Sequence, residues 1–411
     1  MSSENIEKNS RKRKYHENSD FEMNYIVKEG IRYLEPYWCT YKAQAKGRWI
    51  NKKLLDVFTK EFISANPYYM KLAIKTGRMF VNGERMTNLD YVIKDSDSIV
   101  HVAHRHEHEI LDKKIEIIDN NENYLVVNKP PSLPVHACGQ YKVHSMIEQI
   151  RIQHGIANLR TLYRLDKNVS GVLMFAKNYE ADLEFKKLMQ SRNIYKEYIA
   201  LVEGKFPDND IVCEEPIGNL VITMGIQCIR KDGKNAKSTF KKIWTDGKKS
   251  LICCRIESGR THQIRVHLQY IGYPIINDKL YNSTVWGKNK GKYAEYGKDM
   301  DTLSKDIQDS HKSSLWHEKP NLEFENNMKK WANDDVELPV LDIKDTTSFS
   351  HLPKFDPFCV GCNVRKKKVS LDNFMIYLHC IKYETDKWKY EAPFPSWANM
   401  SFFQENQTNI I

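Results

Sequence analysis

The stretch Tyr163–Asn178 contains one acidic residue, Asp166, between two cations, Arg164 and Lys167. The apolar run Val172–Ala176 follows and predicts a buried strand. One interpretation of this pattern is a surface ion pair that closes a loop before the strand. The other is a carboxylate that neighbouring positive charge keeps ionised and that acts as a nucleophile or base.

Histidines and cysteines in two other stretches raise the alternative of a metal site. Residues 101–109 contain four histidines, but they form neither the His-x-Glu pattern of zinc deaminases nor the His-Glu-x-x-His pattern of zinc proteases. We therefore expect no catalytic metal. Cys359 and Cys362 form a Cys-x-x-Cys pair, for which His379 and Cys380 are candidate partners in a structural zinc site. Against such a site, His379 and Cys380 are adjacent and would point in opposite directions on a strand.

The composition indicates the class of protein and the kind of partner. With 411 residues, 41% hydrophobic and 28% charged, the chain is typical of a soluble protein with more than one domain. It shows no apolar run that could span a bilayer and no signal peptide, so we expect no membrane partner. Nine dispersed cysteines fit a reducing compartment, which predicts the cytoplasm or nucleus, with the mitochondrion as a further option. The net charge of +10 favours a nucleic acid as partner.

The distribution of polar and apolar residues divides the chain into five predicted segments. They are a disordered basic tail over 1–35, a compact α/β unit over 48–103, a mixed region over 110–280, a polar insertion over 281–355 and a C-terminal segment over 356–400. Irregularly mixed strands and helices predict an α+β fold with a mainly antiparallel mixed sheet and flanking helices. The cluster Arg11–Lys14 in the tail is either a nuclear address, a set of phosphate contacts or simply solvated.

Basic residues are concentrated near one helix end of the 48–103 unit. Lys71, Lys75 and Arg78 lie close to the predicted Gly77 stop, before a strand and the Asn82-Gly83 turn. Such a basic end suits contact with RNA phosphates. A helix face that is merely solvated explains the spacing equally well.

Three ordered motifs resemble the signatures of RluA-type RNA pseudouridine synthases. They are "YRLDKNVSGVLMFAKN", "KEYIALVEG" and "ESGRTHQIRVHLQYIGYPIINDKLY". Residues 48–103 resemble the S4 RNA-binding domain, and 110–280 resemble the catalytic core, which 356–400 would complete. The stretches "KGRWINKKLLDVF", "YNSTVWGKNKGKY" and "MIYLHCIKY" are similar to the eukaryotic branch that modifies the tRNA anticodon loop, with position 32 favoured.

The resemblance assigns roles to individual residues. It implies that Asp166 attacks the uridine nucleotide at C1′ of the ribose or C6 of the base, that Tyr198 stacks on the base, and that Arg265 is the partner of Asp166. Arg164 would help to fill the stack that the flipped uridine leaves. Lys129 and His136 are further candidates for lining the RNA cleft.

The resemblance also implies the cofactors and partners. The reaction needs no metal and no nucleotide, so no cofactor is expected, and RNA, tRNA foremost, is the expected partner of a monomeric enzyme. The family usually has His where this chain has Tyr163, which puts the ordering of that loop in question. The rival interpretations are a non-catalytic S4-type RNA-binding protein and a synthase that acts on rRNA or mRNA.

Overall fold

The computed structural model describes residues 24–61, 66–313, 318–319 and 321–398. The predicted disordered tail therefore lies mostly outside the described residues, including the cluster Arg11–Lys14. Its last part was predicted wrongly, because Tyr25–Lys28 and Ile31–Leu34 form strands.

The described residues form strands in every part of the chain, separated by short helices. The strands are β1 Tyr25–Lys28, β2 Ile31–Leu34, β3 Tyr37–Gln44, β4 Met79–Val81, β5 Glu84–Met86, β6 Ser98–Arg105, β7 Ile110–Leu111, β8 Glu116–Asn120, β9 Tyr124–Lys129, β10 Arg160–Thr161, β11 Ser170–Ala176, β12 Tyr195–Glu203, β13 Ile211–Cys213, β14 Ile217–Val221, β15 Ile226–Ile229, β16 Ser238–Thr245, β17 Lys249–Ile256, β18 Glu318–Lys319, β19 Arg365–Lys366, β20 Leu378–Glu384 and β21 Lys389–Glu391. The α-helices are α1 Leu54–Glu61, α2 Tyr69–Lys75, α3 Met146–His154, α4 Tyr179–Gln190, α5 Gln263–Tyr270, α6 Met300–Ser313, α7 Leu322–Trp331 and α8 Val360–Asn363. Short 3-10 helices lie at Gly47–Trp49, Ile222–Met224, Thr284–Trp286, Lys292–Ala294, Leu371–Phe374 and Ser396–Ala398.

The first of two compact units comprises residues 1–25, 34–105 and 325–362, as far as they are described. It contains an antiparallel four-stranded sheet in the order β3-β6-β4-β5, together with α1 and α2. The predicted strand and turn after Gly77 are confirmed by β4, the Asn82-Gly83 turn and β5. Its resemblance to an S4 domain stays a prediction.

The second unit comprises residues 26–33, 106–324 and 363–411, again as far as they are described. Its ten-stranded sheet follows the path β13-β16-β17-β12-β20-β11-β9-β8, with β10 beside β11 and β21 beside β20. The pairings are antiparallel except for that of β11 with β20. This arrangement confirms the predicted α+β fold with a mainly antiparallel mixed sheet.

Strand β20 lies between β11 and β12, so a segment from near the C-terminus occupies the middle of the second unit's sheet. Its close approach to β11 explains the glycine at position 171. Gly171 pairs with Cys380 and has φ +110°, and a Cβ atom there would lie 2.1 Å from the Cys380 carbonyl oxygen. Any side chain at this position would therefore separate the two strands.

The boundaries predicted for the polar insertion differ from those of the units. Residues 281–324 belong to the second unit, whereas 325–355 and the Cys-x-x-Cys stretch 356–362 belong to the first. The reason is a contact between segments that are distant in sequence, because Lys75 of α2 donates hydrogen bonds to the carbonyls of Trp331 and Asn333. Polar composition alone carries no sign of that attachment.

Helix α4 shows a limit of reading helical periodicity from sequence. Leu183 is an apolar residue of α4 but is 39% exposed, whereas Phe185 is fully buried. On α5 and directly after it, Ile264, Leu268 and Ile271 are all buried. None of the described helices is both long and apolar enough to cross a membrane.

Candidate active site

Asp166 lies in the loop that connects β10 with β11, and the apolar core holds this loop on both sides. Leu165 and Val169 are buried in the main cluster of the second unit, and the Val169 amide donates to the Asp166 carbonyl at 3.0 Å. The Asp166 side chain itself stays 28% exposed. The fold thus presents one carboxylate at the surface of a packed core.

Lys129 holds the same loop by hydrogen bonds from inside the protein. Its ammonium group, fully buried at the end of β9, donates to the backbone carbonyls of Lys167 at 2.9 Å and Val169 at 2.7 Å. Burial lowers the pKa of Lys129 to about 7, although the Asp166 charge opposes this shift. Since the side chain has no exposed surface, its position favours holding the loop over lining an RNA cleft.

Arg265 reaches Asp166 from helix α5. Its Nη1 donates to Asp166 Oδ2 at 2.8 Å, while Nε and Nη2 donate to the two carboxylate oxygens of Asp278 at 2.7 and 2.9 Å. Asp278 is 1% exposed. The bidentate pair fixes the plane of the guanidinium, which leaves one side of it for the partly exposed carboxylate.

The surrounding charges favour the ionised form of Asp166. Burial opposes ionisation, but positive charge at His262 and Arg265 and the hydrogen bond from Arg265 outweigh it, so the pKa lies below its ordinary value of 3.8. Burial also lowers the pKa of His262 to about 4, so this imidazole is neutral at pH 7. At neutral pH the ionised state of Asp166 therefore depends chiefly on Arg265.

His262 and Tyr281 complete the surroundings of this pair. His262 Nε2 lies 3.7 Å from Asp166 Oδ2, and His262 Nδ1 lies 2.8 Å from the Tyr281 hydroxyl. The Arg265 guanidinium lies over the Tyr281 ring, 4.8 Å from its centre. His262 has φ +57°, a strained backbone conformation that is found preferentially at functional sites.

Tyr198 lies on β12 in the same core cluster as Leu165 and Ile264, the residues that precede Asp166 and Arg265. It is 6% exposed, and its hydroxyl lies 3.4 Å from that of Tyr383. Burial raises the pKa of Tyr198 well above its ordinary value, so it stays protonated. The described contacts bring Asp166 and Arg265 together but include none between Tyr198 and either residue.

Comparison with known proteins identifies the family. Residues 123–270 match the RNA pseudouridylate synthase family. An uncharacterized protein of Caenorhabditis elegans is 51% identical over 90% of this chain and 86% of its own length. RNA pseudouridine synthase 7 of Oryza sativa subsp. japonica is 32% identical over 91% of this chain and 92% of its own. The chain belongs to the RluA-type RNA pseudouridine synthases. The mitochondrial tRNA pseudouridine(32) synthase of Saccharomyces cerevisiae is 36% identical over 68% of this chain and 62% of its own.

The residues near Asp166 that the sequence suggested for RNA contact in this synthase fall into two groups. Arg164 is exposed beside the Asp166 loop, and the half-buried His136 has a pKa that burial and the Arg164 charge lower. Both remain candidates for RNA contact. Lys129 is fully buried, so its side chain has no exposed atoms for RNA to contact.

The predicted basic end of residues 48–103 is largely engaged inside the first unit. Arg78 is 1% exposed and donates to both Asp356 oxygens at 2.6 and 2.8 Å, so its predicted phosphate contact is contradicted. Lys71 pairs with Asp334 at 2.8 Å, and its side chain is 25% exposed. Lys75 donates to the carbonyls of residues 331 and 333. The spacing of basic residues along one helix does not predict these contacts, because the partner residues lie much later in the chain, within 331–356.

The candidate zinc partners of Cys359 and Cys362 are engaged in the strand pairing and packing of the second unit. His379 and Cys380 lie on β20 of the synthase's ten-stranded sheet, where they pair with Ser170 and Gly171. Ser170 Oγ lies 2.8 Å from His379 Nδ1, so this imidazole is part of the strand packing.

Sequence reasoning missed three residues of the site: His262, Asp278 and Tyr281. All three fall inside the third quoted motif, and Asp278 follows Arg265 by 13 positions. A carboxylate within the same motif as a buried arginine was an available signal. Its hydrogen bonds to that arginine depend on the turn after α5, which the sequence did not specify.

Proposed function

We propose that the synthase isomerises a uridine in the anticodon stem-loop of tRNA, position 32 foremost, with Asp166 as the catalytic carboxylate. The observation that carries the proposal is the hydrogen bond from a buried Arg265 to a carboxylate that is still 28% exposed. The substrate rests on the relative named tRNA pseudouridine(32) synthase, which shares 36% of aligned residues.

The chemistry needs an ionised carboxylate at the start. Asp166 attacks the nucleotide at C1′ or C6, and the bond between N1 and C1′ breaks. The uracil turns and rejoins C1′ through C5, and the bond to Asp166 breaks, which returns the free carboxylate. The proton at C5 is lost and one is taken up at N1, so atoms balance without a co-reactant. Arg265 keeps Asp166 ionised at neutral pH, as its charge and hydrogen bond lower the pKa of that carboxyl.

Two residues act on the reaction through Asp166 and Arg265. Asp278 fixes the guanidinium by a bidentate pair, so the Nη1 group keeps its direction towards Asp166. Lys129 holds the backbone of the loop through two carbonyls that flank Asn168. Both are positioning residues, since both are buried and act through the groups that they hold.

The uridine has to leave its stack to reach Asp166. Arg164 is exposed two residues before Asp166, so its planar guanidinium can replace the missing base in the stack. Tyr198 is proposed to receive the face of the flipped uracil. Because Tyr198 is only 6% exposed, this contact requires the surrounding side chains to part when RNA binds.

The test uses the full chain and tRNA transcripts labelled with tritium at uridine C5, without added metal or nucleotide. Isomerisation releases the C5 tritium into water, and mass spectrometry of nuclease fragments locates the product. We expect one tritium released per tRNA and no release from a matched transcript that carries cytidine at position 32. Release that persists in this control would reject position 32.

A second set of substrates decides between classes of RNA. Fragments of rRNA and mRNA with the same loop sequence serve as competitors and as labelled substrates. Turnover on these fragments, with none on tRNA, would replace tRNA by rRNA or mRNA as the substrate. We also propose that the synthase works as a monomer inside the cell, and the mitochondrial relative adds that organelle to the compartments to examine.

A further inference from the structure

The first unit brings together a histidine and two cysteines that are distant in sequence. His104 lies near the end of β6, and Cys359 and Cys362 flank the start of α8. Their candidate ligand atoms all lie within 4.8 Å of one another, and Cys362 Sγ is 3.3 Å from His104 Nδ1. In a tetrahedral zinc site, bonds of roughly 2.0–2.3 Å place the ligand atoms roughly 3.3–3.8 Å apart. The distance between Cys362 Sγ and His104 Nδ1 lies in this range, and 4.8 Å is the upper limit for the other pairs.

The cluster is sheltered from solvent on the side of the strand. His104 is 6% exposed and Cys359 is 7% exposed. The Trp38 ring lies 5.0 Å from the His104 imidazole. Burial of this kind favours a closed structural site over a catalytic one, which must keep a position open for water or substrate.

In the loop that carries the cysteines, one backbone amide donates to a cysteine sulfur and a second hydrogen bond closes the turn. The Asp356 amide donates to Cys362 Sγ at 3.4 Å, and the Cys359 amide donates to the Asp356 carbonyl at 3.1 Å. Outer hydrogen bonds of this type orient metal ligands and offset the charge of the thiolates.

A buried ion pair fixes the loop against the sheet that carries His104. Arg78 donates to both carboxylate oxygens of Asp356, and its guanidinium lies 5.3 Å from the ring centres of Trp38 and Phe358. The loop therefore holds its cysteines in place through contacts that do not involve the ligand atoms themselves.

We propose that His104, Cys359 and Cys362, three residues of the first unit, bind a structural Zn²⁺ ion. Two thiolates and an imidazole are a donor set that selects zinc. The ion would link residues 356–362 to the end of β6, and the two thiols would release their protons on binding.

The first test measures metal in the full chain, purified without chelator, by elemental mass spectrometry. We expect one zinc per chain in the wild type and at least a tenfold loss of zinc in Cys362→Ser and His104→Ala. Cys253→Ser is the matched control, because Cys253 is another half-buried cysteine but lies on β17, and it should keep its zinc.

The second test stays informative if the variants do not fold. Zinc in the wild type is exchanged for Co²⁺, which gives intense visible absorption and a thiolate charge-transfer band when it is tetrahedral with cysteine ligands. These bands, together with a lower melting temperature after metal removal, would support the site. Wild-type protein without zinc and without the cobalt bands would overturn it, and a Cys359–Cys362 disulfide in that sample would assign the pair to thiol oxidation instead.

Discussion

Arg78 of the first unit and Arg265 of the second are two buried arginines that each hold an aspartate by two hydrogen bonds. Arg78 directs its remaining Nε to Thr76 Oγ1 at 3.0 Å, inside the protein. Arg265 directs Nη1 to Asp166, whose side chain is partly exposed. A buried ion pair is therefore structural when all of its polar groups bind partners inside the protein. It can serve catalysis when one of its hydrogen bonds reaches a partly exposed carboxylate.

The largest expected effect concerns the exposed end of the Arg265 network. Asp166→Asn should lower kcat by at least ~10⁴-fold, since an amide is nearly the same shape but a far weaker nucleophile. Single-turnover tritium release at saturating tRNA measures the loss, and tRNA binding should persist. Asp182→Asn is the control, because Asp182 is a buried carboxylate that pairs with Arg160 and Lys186 away from the site. Comparable turnover by wild type and Asp166→Asn would remove Asp166 from its role.

Removing the structural arginine should act on stability and leave the chemistry alone. Arg78→Met leaves the buried Asp356 without its partner and should lower the free energy of unfolding by about 3–5 kcal/mol. The kcat of the folded fraction should stay within about threefold of wild type, because Arg78 has no contact with Asp166. Denaturant titration and kcat at low temperature measure the two quantities. The double variant Arg78→Met/Asp356→Leu should recover stability, and a lasting loss of kcat there would contradict a purely structural Arg78.

Replacing the other arginine should instead alter rate and pH dependence. Arg265→Lys keeps the charge but cannot serve Asp278 and Asp166 together, so kcat should fall by about 10²-fold. In the wild type Arg265 lowers the pKa of Asp166, so activity is lost only as the pH falls below the ordinary carboxyl range. In the variant that pKa should rise, and the acid limb of kcat/KM should move to higher pH.

The measurement is kcat/KM for Arg265→Lys and for wild type between about pH 4 and 8. Arg78→Lys is the matched control, since the same substitution in the other buried pair should leave the acid limb in place. An acid limb that does not move in Arg265→Lys would show that Arg265 does not control the ionisation of Asp166.

The smallest expected effect is on the salt dependence of RNA binding. It distinguishes the exposed Arg164 from lysines that already form ion pairs or hydrogen bonds within the protein. Arg164→Ala removes an exposed charge together with the stacking guanidinium, so it should flatten the plot of log binding constant against log salt by at most about 0.7, the contribution of one phosphate contact on a single strand. Lys71→Ala/Lys75→Ala should change that slope by less, because both ammonium groups already bind residues 331–334. Filter binding of tRNA over a range of salt measures both. A larger change for the lysine pair would restore the basic end of the first unit as an RNA-binding surface.

The sequence alone predicted the parts of the protein that depend on local pattern. The three ordered motifs gave the family, the α+β fold and the pair of Asp166 and Arg265. Apolar runs predicted buried strands such as β11, and a glycine and the Asn82-Gly83 turn predicted where α2 ends and β5 begins. These features are set by neighbouring residues, since side-chain periodicity and turn chemistry act over a few positions.

Only the tertiary structure decided which charged residues are structural. Arg78 and Lys71 pair with acids 278 and 263 positions away in the chain, and Cys362 meets a histidine 258 positions away. The free energy of such contacts depends on burial and on the distance between the two groups. Local sequence patterns specify neither quantity for residues that lie far apart in the chain. For the same reason Lys129 looked like a cleft residue and proved to be a buried support for the loop of Asp166.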